Sequence, residues 1–257
     1  MEKVLIAFSG GVDSTFLIKA AKDALGARNV LAVTATSETY PKSELKDAKR
    51  LANIIGVKHT VIATEEFKDI KFTANPPQRC YYCKSELFDK LKKIARTDGF
   101  KYVADASNYD DRKDFRPGAL AAKENKVRSP LKEARLTKDD IRNFSKQLGL
   151  PTWNKPSYAC LASRIPYHDA ITKRKLNAVE SAEEFLRKKA AVGQVRVRCH
   201  GDIARIEVAP KDMRRLVDGK ASGDIVRRLN ALGFKYVTVD LKGYRTGSMN
   251  PALKEKR

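Results

Sequence analysis

The run Val4-Leu5-Ile6-Ala7-Phe8 is followed at once by Ser9-Gly10-Gly11-Val12-Asp13-Ser14, and a helical pattern opens there through Phe16, Leu17 and Ala20. This junction constrains the fold more than any other stretch of the chain. Adjacent glycines let backbone N–H groups approach an anion, the serine hydroxyls add donors, and the helix N-terminus adds the positive end of its dipole. A turn that merely joins a strand to a helix requires neither the two serines nor the aspartate. The loop also lacks the Gly-Lys-Ser/Thr ending of the Walker loop and the spacing of the dinucleotide fingerprint. It reads as a phosphate cradle between a first strand and a first helix.

The next 140 or so residues keep that alternation. Val30 to Ala35, His59 to Ile62 and Tyr102 to Asp105 are short apolar strand candidates. Between them lie helical patterns: Ser43 to Ile55 with Gly56 as a stop signal, and Tyr82 to Ala95 with Leu87, Phe88, Leu91 and Ile94 at helical spacing. Thr137 with Asp140 three residues on opens a further helix. The expectation is an α/β fold with an open parallel sheet. After Pro151 the rhythm changes to a long helix from Thr172 to Ala190, adjacent strands Gln194 to His200 and Ile203 to Val208, two short helices, and a strand Tyr236 to Leu241. This predicts a second, smaller α+β domain, with the division drawn as 1–166 and 167–257. Leu253 to Arg257 read as a frayed basic tail. No apolar run approaches the roughly 20 residues of a membrane span. The N-terminus is too short and too acidic for a signal peptide, so a cytoplasmic protein with no membrane partner is expected.

In that compartment four cysteines suggest metal or redox chemistry rather than disulfides. Cys80-Tyr81-Tyr82-Cys83 begins a helix, a placement that favours thiolates. Cys160 lies near the domain junction. Cys199 alternates with Val195 and Val197 on the inward face of its strand and reads as a core residue. The three thiols left, Cys80, Cys83 and Cys160, suit a 4Fe-4S cluster with one iron open. Two other readings stand beside it: a zinc site that recruits Cys199 or water, and a redox pair in which Cys160 is incidental.

A two-residue turn at Gly201-Asp202 would pair His200 with Ile203, Arg198 with Arg205 and Arg196 with Glu207, all on one face. Such a cluster asks for an anion or counter-charge, unless it is simply a solvated polar face. Arg245, in Gly243-Tyr244-Arg245-Thr246-Gly247, could add a phosphate contact. The formal charge of +21 is spread over both parts of the chain. It fits a polyanionic ligand, nucleic acid or a phosphorylated small molecule, or a heavily charged solvated surface.

Ser9 to Ser14 resembles the SGGxDS signature of the ATP pyrophosphatases, the adenine nucleotide alpha hydrolase-like fold. That resemblance implies ATP and Mg2+ as cofactors, with Ser9, Gly10, Gly11 and Ser14 around the phosphates, Asp13 helping to hold magnesium, and Ser37 and Glu38 near the nucleotide. Together with RCYYCK, WNKPSYACLASR, VRVRCHGDIARIEV and GYRTGSMN, the chain is similar nearly throughout to the LarE family of sulfur transferases. The resemblance implies adenylation of a carboxylate of pyridinium-3,5-biscarboxylic acid mononucleotide and replacement of its activated oxygen by sulfur, in biosynthesis of the nickel-pincer nucleotide. Some members sacrifice a cysteine of their own, whose place Ala159 holds here. The branch with three cysteines and a 4Fe-4S cluster matches Cys80, Cys83 and Cys160. It implies Arg196, Arg198, His200, Arg205, Glu207 and Arg245 as the substrate-holding set, with Ser163 and Arg164 as catalytic residues that position the substrate near the cluster. Sulfide or another sulfur donor is an implied partner, and a homo-oligomer is expected. Two rivals remain: a tRNA-thiolating enzyme on the same loop and cluster, and a basic nucleic-acid-binding protein with a structural metal site.

Overall fold

The computed structural model describes residues 1–113, 115–156, 159–245 and 247–251. Ser157 and Tyr158 of WNKPSYACLASR, Thr246 of GYRTGSMN and the basic tail from Leu253 lie outside the described residues. The chain divides into two compact units, one made of residues 1–72 and 78–158 and the other of 73–77 and 159–257.

The first unit is an open parallel sheet. Its strands are β1 (Val4–Ala7), β2 (Val30–Thr36), β3 (Lys58–Ala63) and β4 (Tyr102–Ala104), in the order β3-β2-β1-β4. The helices are α1 (Val12–Leu25), α2 (Lys42–Ile55), the short α3 (Ile70–Thr73), α4 (Arg79–Thr97), α5 (Gly118–Glu124), α6 (Pro130–Glu133) and α7 (Lys138–Gln147). Alternation along β1 sends Val4 and Ile6 into a core with Ile18 of α1, Leu51 of α2 and Ile141 of α7. Leu5 goes to the opposite face, with Phe88 and Leu91 of α4 and Ala121 of α5. Both faces of the sheet are therefore covered, which is why its central strands read as continuous apolar runs. Helix ends follow the local signals. Gly56, at φ 73°, closes α2, and Thr137 and Asp140 form a reciprocal capping box at the start of α7.

The second unit carries α8 (Lys173–Lys189), β5 (Val195–His200), β6 (Ile203–Val208), α9 (Arg214–Val217), α10 (Gly219–Ala231) and β7 (Tyr236–Val239). β5 and β6 form the hairpin, and β7 joins β6 in parallel. α8 packs on β5, burying Leu176, Val179, Ala182 and Leu186 on one stripe. Residues 73–77 belong here through Asn75, whose fully buried amide donates to the carbonyls of Pro166 (2.6 Å) and Asp169 (2.9 Å). No composition shift marks that insertion. Among the described residues no helix is long and apolar enough to cross a membrane.

Candidate functional site

The Ser9 to Ser14 loop leaves the carboxyl end of β1, where the order of the sheet reverses between β1 and β4; open α/β sheets bind ligands at such a point. Gly10 takes φ +68° and lies so close to α2 that a Cβ there would sit 3.2 Å from the backbone of Ala48. A side chain at this position would be both strained and crowded. Ser14 Oγ receives the Ser9 N–H (3.3 Å), lies 3.2 Å from Ser9 Oγ and donates to the Gly11 carbonyl (3.3 Å), which closes the loop on itself. Gly11 caps α1 without any side-chain bond to the first-turn amides. A helix start left in that state is a ready anion site, so the donor set fits a phosphate chain.

Asp13, in the first turn of α1, meets Lys138 Nζ at 2.6 Å, and Asn108 Nδ2 reaches its other oxygen at 3.5 Å. Burial pushes the neighbouring Asp111 carboxyl above its ordinary range, and Asp13 adds to that rise against the opposing charge of Arg116. Lys138 and Asn108 escaped the sequence analysis because each lies about a hundred residues or more from the loop. Ser37 Oγ and Thr39 Oγ1 both donate to Glu66 Oε1, at 2.5 and 2.9 Å. Glu66 is buried, and its Oε2 has no partner among the described residues. It lines a cavity of about 320 Å3 with Glu65, Lys68, Asp69, Tyr82 and Glu86. Glu38, beside Ser37, lies just beyond the end of β2.

Cys80, in the first turn of α4, is exposed and Cys83, at the start of the second, half-buried; three residues apart, they lie on one side of the helix. Cys160 belongs to the second unit, exposed at the start of a 3-10 turn over Leu161–Arg164. Among the described residues no three His, Cys, Asp or Glu side chains gather as a metal site. Two accessible thiols on one helical turn fit part of a thiolate ligand set, and the structure does not show a complete one. Cys199 is buried in β5, as its alternation requires, and burial pushes its thiol pKa up.

Arg164 is fully buried and grips the Glu183 carboxylate in fork fashion, Nε to Oε1 at 2.7 Å and Nη2 to Oε2 at 2.9 Å. Its remaining nitrogen, Nη1, donates to the carbonyls of Ala159 and Cys160 and to Ser163 Oγ. Glu183 also accepts the Val197 N–H at 3.1 Å. Burial alone would raise the Glu183 pKa, but Arg164 outweighs it and holds the carboxyl below its ordinary value. Arg164 is thus enclosed in protein, braced against the main chain of the Cys160 segment.

The hairpin register agrees with the expectation: Arg196 opposite Glu207, Arg198 opposite Arg205, His200 opposite Ile203. The shared face is not solvated, however. Arg196 is 2 % exposed, Arg198 6 % and Glu207 0 %. Counter-charges relieve the cluster. Arg198 donates to Glu207 (2.7 Å), Ser248 (2.8 Å) and the Ser163 carbonyl (3.1 Å), and Arg205 also reaches Glu207 (3.2 Å). Asp240 faces Arg205 and Arg245 at 3.5 and 3.2 Å. Burial, then Arg164, pushes the Arg196 guanidinium down to about 10, while it lies 5.3 Å from the centre of the Tyr244 ring. His200 is lowered by burial and by Arg205 and Arg198. The buried Nε atoms of Arg198 and Arg205 and Nε2 of His200 have no partner among the described residues. Of these, the Arg198 and Arg205 Nε atoms are N–H donors left without an acceptor.

Comparison with known proteins supplies an independent line. Residues 1–90 match the NAD synthase family model. The chain is 39 % identical, over 98 % of its length and 91 % of the relative's, to a pyridinium-3,5-bisthiocarboxylic acid mononucleotide synthase of Lactiplantibacillus plantarum. It is 46 % identical, over 98 % and 94 % of the two chains, to a protein of Synechocystis described as uncharacterized. A tRNA-specific 2-thiouridylase of Desulforamulus reducens is 28 % identical over 70 % of this chain and 60 % of its own.

Proposed function

This chain belongs to the LarE family of ATP-dependent sulfur transferases, and we propose that it adenylates a carboxylate of pyridinium-3,5-biscarboxylic acid mononucleotide and exchanges the activated oxygen for sulfur. The observation that carries this reading is the phosphate loop, whose uncapped α1 amides lie next to the Asp13 carboxylate. The loop amides and the hydroxyls of Ser9 and Ser14 hold the phosphates, and Asp13 serves as a magnesium ligand once Lys138 gives it up. A substrate carboxylate oxygen attacks the α-phosphorus, the bond to the β-phosphate oxygen breaks, and pyrophosphate departs. A sulfur nucleophile then adds at the acyl carbon and AMP leaves with the former carboxylate oxygen, so the product gains one sulfur and loses one oxygen.

Arg196, Arg198, His200, Arg205 and Arg245 are proposed to hold the substrate's phosphate, with Glu207 fixing Arg198 and Arg205 in place, a reading supported by the unmatched Nε donors of Arg198 and Arg205. Ser163 and Arg164 keep the adjoining main chain in place. For sulfur supply the proposal is a 4Fe-4S cluster on Cys80, Cys83 and Cys160. Three thiols outside the core and alanine at position 159 support it. Such a cluster would supply a replenishable sulfide.

The test is incubation of anaerobically prepared enzyme with Mg-ATP and the mononucleotide. AMP and pyrophosphate are the expected products; ADP and orthophosphate would refute adenylation. The same preparation should hold about four irons per chain. Conversion of Cys160 to dehydroalanine after one turnover would overturn the cluster and favour a sacrificed side chain. A second reading, thiolation of tRNA, is favoured by the charge of +21 and by the thiouridylase relative. Nuclease-removable absorbance at 260 nm in the purified protein would support it.

A further inference from the structure

Lys155 and Tyr40 have no part in the chemistry above, yet both end on the phosphate loop. Tyr40 Oη donates to the Ser9 carbonyl at 2.8 Å. Lys155 Nζ donates to the Gly10 carbonyl at 3.3 Å and is anchored by Glu44 (2.9 Å) and Asp47 (3.0 Å) of α2. The Lys155 ammonium keeps its charge: burial works against it, but the hydrogen bonds and charges of Glu44 and Asp47 outweigh burial and raise its pKa. Burial and the same two carboxylates raise the Tyr40 phenol well above its ordinary range, so its proton stays available for donation.

The consequence follows from peptide planarity. In a trans peptide the C=O and the next N–H point in opposite directions, so a donor that fixes one carbonyl also fixes the direction of the following amide. Tyr40 holds the Ser9 to Gly10 peptide and Lys155 the Gly10 to Gly11 peptide. The Gly10 N–H is therefore turned away from Tyr40 and the Gly11 N–H away from Lys155. Gly11 N–H makes a long 3.4 Å bond to Ser9 Oγ, one that a stronger acceptor would displace. Without these holds, Gly10, which tolerates a wide range of backbone angles, would let both peptides swing.

We propose that Tyr40 and Lys155 are positioning residues of the phosphate loop, which hold the Ser9 and Gly10 carbonyls so that the Gly10 and Gly11 amides aim at the pyrophosphate portion of the nucleotide. The proposal rests on the ATP-binding reading above. It assigns the two residues to the phosphates and not to the nucleoside.

The experiment measures the Kd of magnesium pyrophosphate and of adenosine by calorimetry on full-length wild type, Lys155→Met and Tyr40→Phe. Each substitution should weaken pyrophosphate about tenfold, the worth of one hydrogen bond, and leave adenosine within about twofold. Tyr40→Phe removes a single hydroxyl and keeps the ring, so it remains informative if Lys155→Met is poorly folded. Equal weakening of both ligands would mean a general loosening of the site, and unchanged pyrophosphate affinity in both variants would mean that the amides need no hold; either overturns the proposal. A wild type that binds neither ligand refutes the ATP reading, and this proposal with it.

Discussion

Two side chains mark the extremes of what a charged group does here. Asp13 is partly exposed and paired with Lys138 at 2.6 Å, and the role proposed for it is in the chemistry. Asp13→Ala should lower AMP and pyrophosphate formation by about a hundredfold or more, on the scale of losing one preorganised electrostatic contact, with the thermal midpoint little changed. Formation at the wild-type rate would remove Asp13 from the site. Glu183, by contrast, is sealed in with Arg164. Glu183→Ala leaves a buried guanidinium unpaired and should cost about 3–5 kcal/mol in denaturant unfolding. The sign of its pH effect follows from the direction of its shift. The folded carboxyl titrates below the ordinary 4.5, so its stabilisation is complete above that pH and is lost as pH falls through the folded value. An acid-unfolding curve of the variant that coincides with wild type would contradict this assignment.

At the scale of elements, the sequence was informative where neighbours in the chain are neighbours in space. The Gly201-Asp202 turn and strand alternation are enough to set the register of β5 and β6, and Thr137 with Asp140 marks the start of α7. Alternation also names the face that carries Arg196 and Arg198. It cannot say that the face is buried, because the cover is Tyr244, Ser248 and Asp240, some forty residues away. Lys138 and Lys155 stayed illegible for the same reason, each meeting the first loop from beyond β4. The burial changes what to expect of a substitution. Arg198→Met should weaken substrate binding by about 1.5–3 kcal/mol, the value of hydrogen bonds to a charged group, and should also lower stability, since Glu207 loses a partner. Full substrate affinity in a destabilised variant would make Arg198 purely structural.

For the molecule as a whole, the chain crosses between its two units at residues 73, 78 and 159, so the second unit is not one continuous segment. Its missing piece is small but tightly held. Asn75 satisfies carbonyls at Pro166 and Asp169, and the backbone of Thr73 and Asn75 accepts from Ile171 and His168, both at 2.9 Å. A fragment of residues 159–257 leaves those buried groups without partners. It should melt with lower cooperativity and a weaker near-UV signal than the same unit within the full chain. A sharp transition at the full-length midpoint would show that residues 73–77 are dispensable. No sequence signal announced the insertion, because five residues of ordinary composition carry no periodicity to read.

The hold of Arg164 on the Cys160 segment has an evolutionary corollary. Its guanidinium binds the carbonyls of Ala159 and Cys160 and the Ser163 hydroxyl, and a grip on carbonyls is indifferent to the side chains they carry. Positions 159 and 160 can exchange alanine and cysteine while the loop keeps its path. Under the sulfur chemistry proposed above, a lineage would then move a cysteine by one residue by point mutation alone, with no rebuilding of the scaffold beneath.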